Sequence, residues 1–411
     1  MFKSIEQVSK TINSHEVSFI DLCFTDFDGN LRHKVFSTNS FNLAELDGSN
    51  IKCDNLTLSA VLSTGFMNPF TTQRTISFIC NTSSSNNFDW RSACDLFAKK
   101  GMPIGMSDFF YVTLQFSVFD SISFDTKLYN SFYKIECGNN SDMFGNLQCD
   151  NNKVNTTAGL AMLDDLFDLR SEIADTAQSI GINVVSHANG DSSSSAIISF
   201  KVNGLTLMAD HLQLLKLVIV NTVRAYGKSV VFMSGFSKNE NCAGITLSHC
   251  LSKNLIENHA NSIVNLSSAL CPFVSPMSLG GKRFNKKINW IIGKRIPNTD
   301  NFMCEYNFID GICNPYGAII AVFAAGKMGL GLDVNDIECT ASFSDDLHIY
   351  SPDILPYSLA ESLNALNDAR SFALEFMSSE HFDIFLAKKN VEAKKILATI
   401  NPIEFEFYYN S

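Results

Sequence analysis

The sequence predicts an α+β protein in two units, a small β-rich one over residues 1–95 and a larger α+β one over 96–411. Three observations carry that reading. Residues 15–36 alternate apolar and polar across a turn-rich centre, the signature of a hairpin. From residue 165 onward, apolar side chains recur at helical spacing in several segments, bounded by capping residues or glycines. A chain of 411 residues is also long enough for two cores.

Taking the elements in order, Val17, Phe19 and Leu22 are expected to meet Leu31 and Val35 across Asp28-Gly29-Asn30, residues that tolerate a tight turn. Thr75 to Cys80 reads as a further strand, followed by a polar loop from Asn81 to Asn87. Asp165 to Gly181 is helical by period, with Leu166, Leu169, Ile173 and Ala177 on one face and Gly181 ending it. Met208-Ala209-Asp210 opens a long helix with the buried stripe Leu212, Leu215, Ile219 and Val223. Gly227 stops it, and a strand-like Val230-Val231-Phe232-Met233 follows. Asn314-Pro315 starts another helix, because asparagine caps and proline at the first helical position forfeits no needed hydrogen bond. Ser358-Leu359-Ala360-Glu361 is a capping box, and the run Ser192 to Ser195 reads as a loop.

Composition narrows the function. Hydrophobic residues make up 45% and charged ones 18%, ordinary values for a globular protein. A net charge of −11 with scattered basic residues argues against nucleic-acid binding, which needs clustered lysine and arginine. The densest basic group, Lys282-Arg283 with Lys286-Lys287, reads as a short solvated loop or an anion site. The 12 cysteines lack regular spacing and Met1-Phe2-Lys3-Ser4 leads into a polar stretch, so a soluble, cytoplasmic protein with reduced thiols is expected. The longest apolar run, Tyr316 to Ala325, falls short of the ~20 residues that span a bilayer.

Several of these segments, together and in order, resemble glutamine synthetase, the ATP-dependent ligase that joins ammonia to glutamate. The resemblance runs from Phe19-Ile20-Asp21-Leu22-Cys23-Phe24-Thr25-Asp26 through Leu46-Asp47-Gly48-Ser49 and Asp168-Leu169-Arg170-Ser171-Glu172-Ile173 to the Met208 helix. It continues through Leu251-Ser252-Lys253-Asn254, Lys294-Arg295-Ile296-Pro297, Cys313-Asn314-Pro315-Tyr316 and Ser358-Leu359-Ala360-Glu361 to the terminal Pro402 to Tyr409, so it covers nearly the whole chain. It implies a β-grasp-like N-terminal domain and a glutamine synthetase catalytic-type domain whose curved antiparallel sheet lines a funnel. It also implies a homo-oligomer, ring or double ring, with sites between neighbouring subunits.

That chemistry makes an acyl phosphate, whose charge two divalent metals and cationic side chains normally clamp. Magnesium and manganese want oxygen ligands, and the family supplies five glutamates and one histidine. The resemblance places those positions at Met106 and Asp108 in Met106-Ser107-Asp108-Phe109-Phe110, Gly190 and Ile197, Thr246, and Glu305. Asp191 stands one residue from Gly190 as a partial substitute. Two residual metal carboxylates, Asp108 and Glu305, are too few for two metals. Family arginines become Asn307 and Trp290, with Arg295 surviving; nucleotide positions become Ser248 and Cys250. The flap that closes the family's site has no counterpart between Pro272 and Trp290.

Other survivors read two ways. Asp47 matches the residue that polarises ammonia, or it serves its own turn; Asn241 matches a residue that holds the substrate backbone, or it is a loop asparagine. Arg295 and Glu305 are expected to pair with each other. Cys242, His249 and Cys250 lack a recognised zinc spacing, and His187 reads as a remnant of a histidine-rich strand. The leading expectation is a catalytically inactive family member with a structural or regulatory role. It needs no cofactor and assembles with its own copies or an active paralogue. The first alternative is a diverged ATP-dependent glutamate–ammonia or glutamate–amine ligase, which would require magnesium or manganese and ATP. The second is a small-molecule sensor whose pocket is lined by Met106, Ile197 and Trp290.

Overall fold

The computed structural model describes residues 2–46, 51–53, 56–83, 88–101, 106–127, 130–136, 164–190, 194–234, 244–276, 289–330, 340–344, 346–353 and 355–398. The N-terminal unit packs helix α1 (Ile5–Ser14) on a six-stranded mixed sheet. Its strands are β1 (Phe19–Thr25), β2 (Leu31–Ser37), β3 (Ile51–Cys53), β4 (Leu56–Ala60), β5 (Phe66–Met67) and β6 (Thr75–Ser83). They run in the order β2-β1-β6-β4-β3, with β5 also on β6 and the central β1/β6 pair parallel. Ile20, Leu22, Ile76 and Phe78 fill the core beneath Val8 of α1.

The hairpin forms where expected, but Leu22 lies opposite Lys34 and Val35 opposite Asp21, because β2 is an edge strand with an exposed face. Asp26 builds its turn: Oδ1 accepts the N–H groups of Asp28 and Asn30 at 3.1 and 2.8 Å. Gly29 has φ +92°, and a Cβ there would lie 2.8 Å from Asn314, so the tip both turns and docks. Trp90 Nε1 donates to Phe27 O at 3.0 Å and Gln213 Nε2 to Gly29 O at 2.9 Å, fastening the tip to the larger unit. Strand β6 continues to Ser83, three residues into the expected polar loop, and residues 84–87 lie outside the described residues.

The larger unit is a curved sheet of nine strands among the described residues: β7 (Met106–Phe119), β10 (Asn183–Asn189), β11 (Ser195–Asn203), β12 (Ser229–Val231), β13 (Gly244–Ser252), β14 (Ile291–Arg295), β15 (Asn301–Ile309), β16 (Thr340–Phe343) and β17 (Leu347–Ser351). The order is β10-β11-β7-β13-β15-β14-β17-β16, all antiparallel, with β12 also pairing β7. A separate ribbon joins β8 (Ser121–Lys127) and β9 (Asn130–Glu136).

Helices cover one face: α2 (Trp90–Lys99), α3 (Phe167–Ser179), α4 (Leu205–Ala225), α5 (Lys253–Asn265), α6 (Ser267–Val274), α7 (Pro315–Gly329), α8 (Leu359–Asp368), α9 (Arg370–Ala373) and α10 (Ser379–Leu397). Helix α2 spans residue 95 and packs on α4 and α7, with its Ala93, Cys94 and Phe97 in the larger core. The stripes of α3 and α4 are buried as expected, although α4 begins at Leu205, directly after Gly204, three residues earlier than Met208. The apolar run in α7 is a core helix, buried on all sides, and no helix among the described residues is long and apolar enough to cross a membrane. Asn314 caps α7 by accepting the N–H groups of Tyr316 and Gly317. Asn314→Ala is expected to lose about 1 kcal/mol in urea unfolding, with Asn314→Ser recovering most of it. In the Ser358 box, Ser358 Oγ accepts Glu361 N, whereas Glu361 reaches one residue further back, to Tyr357 N at 2.7 Å. The terminal Pro402 to Tyr409 segment lies outside the described residues.

Candidate functional site

Strand alternation divides the large sheet into two chemistries. Phe110, Val112, Leu114, Ile198, Leu247, Tyr306 and Phe308 are fully buried under the helices. The residues between them face the open side, where β7 supplies Tyr111, Thr113 and Gln115 and β13 supplies Thr246, Ser248 and Cys250. Register aligns them into rows: Ser199, Thr113 and Thr246 across β11, β7 and β13; Ile197, Gln115 and Gly244 beside it; Tyr111, Ser248 and Glu305 on the other side.

The open face bonds mainly to itself. Thr113 and Ser199 hydroxyls lie 2.9 Å apart, Thr246 Oγ1 donates to Asn307 Oδ1 at 3.1 Å, and Gln115 Nε2 donates to Ser195 Oγ at 2.9 Å. Ser195 is fully buried, so the serine run expected as a loop ends inside β11. At the rim Gly190 N donates to Ser195 O at 2.8 Å. A Cβ on Gly190 would overlap Ser195 Oγ and stand 2.7 Å from Ser195 Cβ and 2.9 Å from Gln115 Nε2. No side chain fits there without moving both neighbours.

Arg170 braces this rim from α3. Its side chain is buried, donates to both Asp164 oxygens and to Asn189 Oδ1, and reaches His187 Nδ1 at 3.4 Å. Hydrogen bonds from Arg170 hold the Asp164 carboxyl below the usual range despite its partial burial. Burial, then the Arg170 charge, pushes the His187 imidazole down, so the strand leading to Gly190 is set by a buried cation.

Comparison with known proteins now identifies the frame. The family model described as "Glutamine synthetase, catalytic domain" matches residues 91–275 and 290–408. The chain belongs to the glutamine synthetase family. The glutamine synthetase of Azorhizobium caulinodans is 27% identical over 477 aligned positions, covering 99% of this chain and 100% of the relative. That of Bradyrhizobium diazoefficiens is 26% identical over 473 positions with the same coverage. Among solved structures, the cryo-EM structure of Plasmodium falciparum glutamine synthetase superposes with a TM-score of 0.80 at 18% identity, covering 99% of each chain.

On this glutamine synthetase fold the expected site residues scatter. Gly190, Ile197, Thr246 and Glu305 come to the open face or its rim. Asp108 does not join them. It is largely exposed near the start of β7, where its carbonyl accepts Gly204 N at 2.9 Å, and partial desolvation raises its carboxyl pKa. Three residues along β7 and two strands across separate it from Glu305, about 14 Å by strand geometry, too far to share one ion. The expected Arg295–Glu305 pair is also absent. Adjacent strand residues point to opposite faces, so Lys294 approaches Glu305 at 3.9 Å while Arg295 turns to Asp300 at 3.8 Å. Trp290 does not line the funnel. It is buried and stacks on Phe308 with centroids 4.4 Å apart, and Met106 lies opposite Leu251 near the strand's end. The sensor reading thereby loses two of its three lining residues.

Asp47, Asp191 and Asn241 lie outside the described residues, as do Cys242 and the Lys282–Lys287 basic group. His249 and Cys250 face opposite sides of β13. Among the described residues no three His, Cys, Asp or Glu side chains gather as a metal site.

Two buried polar clusters were not anticipated. Arg91 is held by Asp210 and Asn81, and Tyr316 Oη donates to Asp210 at 2.6 Å. His249 and His259 both place Nε2 2.9 Å from Tyr306 Oη behind the open face. Tyr316, within Asn-Pro-Tyr, was a signal for the first; the second joins residues from three elements and had none.

Proposed function

We propose that this chain is a glutamine synthetase-like protein without metal-dependent ligase activity, serving as a structural or regulatory subunit. The observation that carries this reading is the crowded rim at Gly190, where a glutamate of the family would stand and where a Cβ would collide with the present Ser195 and Gln115 side chains. The β7 residues that meet Ile197 and Thr246 are Gln115 and Thr113. We therefore assign the family's two strand glutamates to Thr113 and Gln115 rather than to Met106 and Asp108. The ligand set then reads Thr113, Gln115, Gly190, Ile197, Thr246 and Glu305, with one carboxylate that Lys294 already approaches. Hard divalent cations need several oxygen ligands, mostly charged, so this donor set does not fit two of them. Such a donor set offers no metal clamp for a transferring phosphoryl group.

The stretch expected to lack a flap, between Pro272 and Trp290, contains the interval 276–289 that the family match leaves out, which supports the same reading. Assembly into rings, alone or with an active glutamine synthetase, is part of the same proposal and is supported by family membership. Manganese with ADP is expected to shift the melting temperature by less than about 1 °C, because a ligand stabilises only in proportion to its binding. A shift of several degrees, or glutamine formed by the purified protein, would overturn the reading. A diverged glutamate–amine ligase is the competing function, favoured by family membership and by Glu305. ATP hydrolysis that depends on glutamate plus an amine would establish it.

A further inference from the structure

We draw no further inference here: the strongest candidate, the exposed aromatic face that Phe124 and Tyr133 form as cross-strand partners on the β8/β9 ribbon, carries nothing because nothing in the structure shows what covers it.

Discussion

Asp210→Ala is expected to cost about 3–5 kcal/mol in urea unfolding, because it strands a buried cation rather than merely removing a contact. Arg91 Nε and Nη2 donate to the Asp210 oxygens at 2.9 and 2.7 Å, with side chains only 8% and 2% exposed. Burial opposes the arginine's charge, but Asp210 outweighs it and raises the guanidinium pKa, so Arg91 does not escape by losing its proton. The cluster joins α2, α4, α7 and, through Asn81, strand β6. Its loss would therefore loosen the joint between the two units as well as one helix. The double variant Arg91→Met/Asp210→Leu is expected to recover most of the loss, since an apolar pair of similar volume needs no counter-charge. A single-variant cost under about 1 kcal/mol would remove the pair from any structural role.

Acidification is expected to have an effect of similar size. Burial, with a smaller contribution from neighbouring His259, lowers His249 to about 3, and burial lowers His259 to about 4. Both rings place Nε2 2.9 Å from the Tyr306 hydroxyl, whose single proton can serve only one of them at a time. In the unfolded chain both would titrate near 6.5. The unfolded state thus binds more protons below that pH, and stability falls as pH drops from 6.5 toward the native values. Between pH 6.5 and 4.5 the pair accounts for a loss on the order of 4–5 kcal/mol. Burial shifts His187, His211 and His348 in the same direction, so they add to the slope. Replacing both histidines of the pair with phenylalanine should flatten urea midpoints across this range. An unchanged slope would show that the pair does not control acid sensitivity.

Local signals survived the passage from sequence to structure, and long-range ones did not. The stripes of α3 and α4, the Asn314 cap and the Asp28-Gly29-Asn30 turn each depend on residues a few positions apart, and each forms where periodicity, capping or turn chemistry puts it. Strand register depends on partners that propensity does not name. That is why the sequence motif points to Asp108 whereas Thr113 and Gln115 face the funnel, and why Glu305 meets Lys294 rather than Arg295. A slip of one residue changes the face, and chemistry follows the face. Trp290 was misplaced for a related reason: nothing local reveals that its indole stacks on Phe308.

The narrow gap at Gly190 also constrains how this chain could change. On the proposed correspondence, putting glutamate back at 190 first meets the Ser195 side chain, so the substitution is harmful before it is useful. Shrinking Ser195 first removes the hydroxyl that accepts from Gln115 Nε2 and still supplies no anion. Each single step runs downhill in stability, and only a concerted set leads back. On that reading the side-chain-free position is held in place by epistasis, like a ratchet whose tooth is the Ser195 side chain.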